Sequence, residues 1–163
     1  MTTAIPVILC GAKREVAALV RAHMLPEYDV VYAGHNLPAA EQEVPLILAG
    51  KAPPASALHT QVGPNDFTIA PRAVITGGGY SEDRFQTLYQ ACANASGVLS
   101  VPFFRTDNHL TDQLAATGKG PAHSSSEYPA AVTARLKAKL REVGVAPGTT
   151  ENPGSIAGKT YWF

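Results

Sequence analysis

Apolar side chains in this chain change period repeatedly. Ile5-Pro-Val-Ile-Leu-Cys10 is an apolar run of strand length, and Val16, Leu19, Val20, His23 and Met24 then recur at helical spacing up to Pro26. Residues 29–33 read as a second strand with Gly34-His35-Asn36 as its exit. Residues 38–50 read as a helix that opens on Pro38 and is kinked or divided at Pro45. A third apolar run ends in Gly77-Gly78-Gly79, after which Ser81 N-caps a helix. That helix has Glu82 and Asp83 in its first turn and Phe85, Leu88, Tyr89 and Cys92 on one face. Residues 98–103 read as a fourth strand. The last helix is announced by Ser124-Ser-Ser-Glu127, the pattern of a capping box, followed by Tyr128, Val132, Leu136, Leu140 and Val143 at helical spacing.

Strand-length runs alternating with helical segments predict an α/β fold. The expected form is a single doubly wound, mostly parallel four-stranded sheet with helices on both faces, Rossmann-like or half of a flavodoxin-like fold, in the order 2-1-3-4. One domain spans residues 1–163, interrupted by a Pro- and Gly-rich loop at 51–71 and closed by an irregular tail at 145–163. With parallel strands and right-handed crossovers, the segments after each strand gather on one rim. That rim holds Cys10 to Arg14, His35 and Asn36, Gly77 to Ser81, and Arg105 to His109. Glycine permits positive φ and leaves no Cβ in the way, so Gly77, Gly78 and Gly79 mark a place of close backbone approach.

Charge narrows the partners. Thirteen basic residues balance thirteen acidic ones, which removes the electrostatic footprint of a nucleic-acid or membrane-surface binder. The first apolar run is too short for a signal peptide and lacks its basic flank, and no later stretch is long enough for a membrane span. Two distant cysteines, Cys10 and Cys92, do not make a disulfide scaffold, so the expectation is reduced thiols in a cytoplasmic protein.

The motifs exclude more than they assign. Only Gly11 stands after the first strand, so the dinucleotide fingerprint is missing there, and no P-loop occurs. Glu82 and Asp83 occupy the positive end of their helix, which disfavours phosphate at the glycine turn and suits an uncharged or sugar-like ligand. Lys13 and Arg14 open the first helix, where an anion would relieve their conflict with its dipole. Cys10 sits beside them and is read more readily as a small core residue than as a nucleophile. His109, Asp112 and His123 match no structural zinc spacing, so no metal is expected. His23 and His59 carry no functional case. Tyr161-Trp162-Phe163 is too apolar for a free terminus and is read as docking on the body or on a second copy, a homodimer.

Taken in order, Pro6-Val-Ile-Leu-Cys-Gly11, Gly77-Gly-Gly-Tyr80, Gln90-Ala-Cys-Ala93 and Tyr161-Trp-Phe163 resemble short α/β proteins of filamentous fungi. That resemblance implies a Rossmann-type fold without the full cofactor fingerprint, a secondary-metabolite setting and a small organic substrate. It carries over no catalytic residues. The leading expectation is an enzyme acting without a redox cofactor, of cyclase, isomerase or lyase type. Arg105, His109 and His35 would supply charge or protons, and Gly77–Gly79, Tyr80, Phe103, Phe104, Cys10, Lys13 and Arg14 would bind substrate. The alternatives are an NAD(P) or other nucleotide binder, and a non-enzymatic binding or dimerisation module.

Overall fold

The computed structural model describes residues 3–54 and 60–163, so His59 and part of the 51–71 loop lie outside the described residues. Five strands, β1 (Ile5–Cys10), β2 (Tyr28–Gly34), β3 (Val74–Thr76), β4 (Phe103–Arg105) and β5 (Thr160–Trp162), form one all-parallel sheet in the order β2-β1-β3-β4-β5. The 2-1-3-4 order expected from sequence is present, and the aromatic tail adds the fifth strand. That strand is three residues long, too short to carry a detectable period.

The helices are α1 (Arg14–Met24), α2 (Leu37–Leu48), α3 (Glu82–Asn94), α4 (Asn108–Ala116) and α5 (Tyr128–Val143). Four local expectations are corrected. Helix α2 is not divided at Pro45 but runs through it as one span, started by the Asn36 side chain accepting from the Ala39 amide at 2.9 Å. Strand β4 begins at Phe103, where the apolar run ends, because Pro102 has no N–H for a ladder and the Leu99 amide is drawn to the Leu48 carbonyl. Helix α4 was not anticipated; the Asp107 carboxylate starts it by accepting from the Leu110 amide at 3.0 Å. The capping box is not formed. Ser125 takes the Glu127 amide within a turn, and α5 starts behind Glu127 with Pro129 in its first turn and no side-chain cap.

Strand alternation divides the core in two. Ile5, Val7 and Leu9 of β1, Ile75 and Phe104 face α1 and α5, whereas Ile8, Cys10, Val74 and Phe103 face α2 and α3. The connections β1 to β2, β2 to β3 and β3 to β4 share one hand, since the sideways step reverses when the helix changes face. The β4 to β5 connection steps the same way as β3 to β4, yet its helix α5 packs beside α1 on the opposite face. Its hand is therefore opposite to the others, against the strong preference for right-handed crossovers expected throughout. Burial accounts for it: α1 covers only part of its face, and α5 closes the rest with Val132, Leu136 and Leu140.

Candidate functional site

A cavity of about 460 Å³ opens at the C-terminal rim between β1 and β3, where the sheet's winding reverses. Open α/β sheets bind ligands at this switch point. Leu9, Val16 and Val20 form its floor, Gly77–Gly79 one wall, and Lys13, Asn108, Asp112, His123 and Tyr128 its polar mouth.

Gly77, Gly78 and Gly79 all have negative φ, so close approach, and not backbone handedness, explains them. A Cβ on Gly78 would lie 2.4 Å from Asn108 Oδ1, and one on Gly79 would lie 2.4 Å from the Ala12 Cβ. The turn is held from β1 by the Gly77 amide donating to the Cys10 carbonyl at 2.8 Å. Lys13 is the N-cap of α1 in extended conformation and gives that helix no side-chain cap, which leaves first-turn amides at the cavity rim.

The Asn108 amide donates through Nδ2 to the Gly78 carbonyl at 2.7 Å, which turns its Oδ1 to His123 Nε2 at 3.1 Å. The facing Nε2 is thereby the donor. His123 Nδ1 lies 3.4 Å from Asp112 Oδ1, and the ring packs on Tyr128 with centroids 4.9 Å apart. A histidine with one nitrogen committed to donation and the other facing a carboxylate can take up and release a proton at that second nitrogen. Arg135 braces this corner from α5, donating to the Thr111 hydroxyl at 2.8 Å and to the Asp107 and Phe163 carbonyls at 3.1 and 3.0 Å.

Of the residues expected at a site, Lys13, Gly77, Gly78 and Gly79 line the cavity. Arg14 lies beside it and donates to the Gln61 carbonyl at 3.0 Å, pinning the 60s loop. Arg105 and His109 are not brought together. The Arg105 guanidinium points to the α3 side, 3.9 Å from the Phe85 ring centre and 4.1 Å from that of Trp162, and is paired with Glu82 at 2.7 Å. His109 is exposed on α4. His35 stands on the β2 rim with its Nε2 buried and unpartnered among the described residues, and its amide bonds the Thr60 carbonyl at 3.0 Å. Phe104 stacks on Tyr161 in the core beneath α5, while Phe103, Tyr80 and Cys10 lie on the α2–α3 side. Buried Glu43 on that side accepts from Tyr32, Thr60 and Gln61 at 3.2, 3.1 and 3.0 Å.

Sequence reasoning placed Asn108 on the rim without a role of its own, gave Asp112 and His123 only a rejected metal role, and missed Tyr128 as a site residue. The available signal was Asp107 as an N-cap. Read as a helix start, it puts Asn108 and Asp112 one turn apart on the same face. Nothing local places His123; the loop before α5 carries it over the rim.

No protein-family model matches the chain, and no solved structure matches it. Among curated proteins it is similar to "Kojic acid related protein 6" of Aspergillus oryzae (strain ATCC 42149 / RIB 40). The two are 27% identical over 139 residues, which is 85% of this chain and 77% of that protein. A fungal relative agrees with the resemblance read from the motifs.

Proposed function

We propose that this chain is a small-molecule enzyme of secondary metabolism that moves protons without a redox cofactor, in a reaction of isomerase, cyclase or lyase type. The observation that carries the reading is the His123–Asp112 pair at the mouth of a cavity at the sheet's switch point. In this reading the exposed Asp112 carboxylate accepts a proton from an acidic C–H or O–H of the substrate, and His123 Nδ1 shares it. The negative charge left on the substrate oxygen is met by the Lys13 ammonium and the uncapped amides of α1. Return of the proton to another atom completes an isomerisation, and expulsion of a leaving group completes an elimination. Asn108 is a positioning residue that fixes the imidazole through the Gly78 carbonyl. The missing dinucleotide fingerprint after β1 supports cofactor independence, and the printed name of the Aspergillus relative supports the metabolic setting.

The test is exchange of solvent deuterium into a panel of carbonyl compounds with acidic C–H bonds, followed by NMR. Wild type is expected to catalyse exchange on some member, and His123→Gln to lower that rate by about 10²–10⁴, the scale of a general acid or base. Equal exchange in wild type and His123→Gln, or none on any member, overturns the reading.

A second reading, nucleotide binding, is favoured by the cavity's place at the β1/β3 junction, where doubly wound sheets of this order take flavin mononucleotide. NAD, NADP and FMN separate the two readings through thermal shift, since a ligand bound to the native state raises its stability.

A further inference from the structure

Behind the main cavity lies a second, smaller chamber of about 60 Å³ that shares Leu9, Val16, Val20, Gly77, Gly78 and Tyr128 with it. Its remaining walls include Ile75, Val132, Leu136 and Phe163 from the core under α5. Three side-chain hydroxyls belong to its lining, those of Thr106, Thr133 and Tyr128, and all are already committed, that of Tyr128 to Thr111. Thr106 donates to the Thr76 carbonyl at 2.9 Å and Thr133 to the Pro129 carbonyl at 2.6 Å. A water there would find few partners, so the chamber is a dry apolar branch that accepts carbon and rejects polar groups. At about 30 Å³ per water-sized group it holds about two carbons.

The mouth has the reverse character. Lys13 and the first-turn amides of α1 offer donors, His123 Nε2–H is spent on Asn108, and the Asp112 carboxylate faces His123. Glu15 shares the first turn of α1 but is not on the cavity lining, so positive character reaches the cavity at the Lys13 side. From the two ends together we infer that the ligand of this cavity is an organic acid, or the equivalent enol, with a short apolar tail. Its oxyanion lies at Lys13 and the tail threads between Gly77–Gly78 and Tyr128 into the branch. This deepens the proposed function and rests on the cavity being a substrate site.

Butanoate, pentanoate, hexanoate and octanoate, with their amides, are titrated into the full chain by NMR or calorimetry. Affinity is expected to rise about fourfold per methylene over about two carbons and then level off. The amides should bind at least tenfold more weakly than the acids. Lys13→Gln should abolish that preference, and Val132→Phe, which fills the branch, should abolish the dependence on chain length. If Val132→Phe does not fold, xenon titrated into wild type decides, by shifting the methyl signals of Val132 and Leu136. Affinity independent of chain length, acids and amides binding alike, no acid binding at all, or unmoved methyl signals under xenon each overturn the inference. His123-dependent deuterium exchange would survive all four outcomes, so failure here is distinguishable from failure of the proposed function.

Discussion

The Cys10 thiol is fully buried at the end of β1, against the Tyr80 hydroxyl and near Cys92 and Glu43. Burial, reinforced by Cys92 and opposed by the Tyr80 contact, pushes its pKa well above the ordinary thiol value. Burial also raises Cys92 to about 12 and drives Tyr32 and Tyr80 upward. A thiol so placed is neutral near pH 8 and a poor nucleophile. The native state keeps protons that the unfolded chain releases above about pH 8.5, so stability is complete below that pH and falls as pH rises. For Cys10 the slope is at most about 1.4 kcal/mol per pH unit. Urea midpoints measured between pH 8 and 11 should decline, and Cys10→Ala should flatten the first part of the decline. Neither thiol should react with a disulfide reagent at pH 8 until the protein unfolds; rapid labelling of native Cys10 would overturn this account. Strand alternation is what the rim argument from sequence lacked at this scale. Leu9 and Cys10 are neighbours in sequence, but one floors the cavity and the other is sealed beneath α2 and α3.

At the scale of elements, the β3–α3 turn and the start of α4 make one unit. Gly78 and Gly79 are each tight against a neighbour, but the neighbours differ. The atom facing Gly78 is the end of the Asn108 side chain, which can rotate away, whereas Gly79 faces the Cβ of Ala12 on the β1–α1 loop, which moves only with its backbone. Gly79→Ala is therefore expected to cost stability, about 1–3 kcal/mol as for other overpacked sites. Gly78→Ala should cost less than about 1 kcal/mol but displace Asn108 and release His123, lowering turnover more than melting temperature. Chemical denaturation and the ¹⁵N signals of the His123 ring check the pair; equal losses of stability in the two variants would remove the distinction. The glycine turn, Ser81 as cap, and the strand–helix alternation were legible because each is encoded within a few residues. Helix α4 was not, since its nine residues bury only Thr111 and carry just two large apolar side chains, Leu110 and Leu114, too few to set a period. The last helix was found by its period while its start was misread, because Pro129 and the preceding turn set it instead of the serines.

Across the whole molecule, the β5 segment explains both the tail and Arg105. The chain leaves α5 on the α1 face, passes under the sheet where Arg72 holds Thr149 and Asn152, and returns as an edge strand on β4. Neither the long connection nor its reversed hand could be read from periodicity, because both arise from how much of the α1 face remains to be covered. Once β5 is in place, Trp162 stacks on the Arg105 guanidinium from one side and Phe85 from the other, and Glu82 takes its end. The pairing with Arg105, joined by Gln86, holds the Glu82 carboxyl below its usual range. Arg105 is nearly buried, so this clamp ties α3, β4 and β5 into one body and keeps the half-exposed Trp162 in register. Arg105→Ala is expected to destabilise by about 1–3 kcal/mol, combining a desolvated cation–π contact with the ion pair. For a chain of this size that lowers the melting temperature by about 2–12 °C. Trp162→Ala should reproduce most of the loss. Arg105→Lys should not restore it, because an ammonium cannot fill a planar gap between two rings. The competing catalytic role makes a different pattern: an Arg105→Ala protein that melts like wild type but no longer turns over substrate would move Arg105 from the clamp into the chemistry.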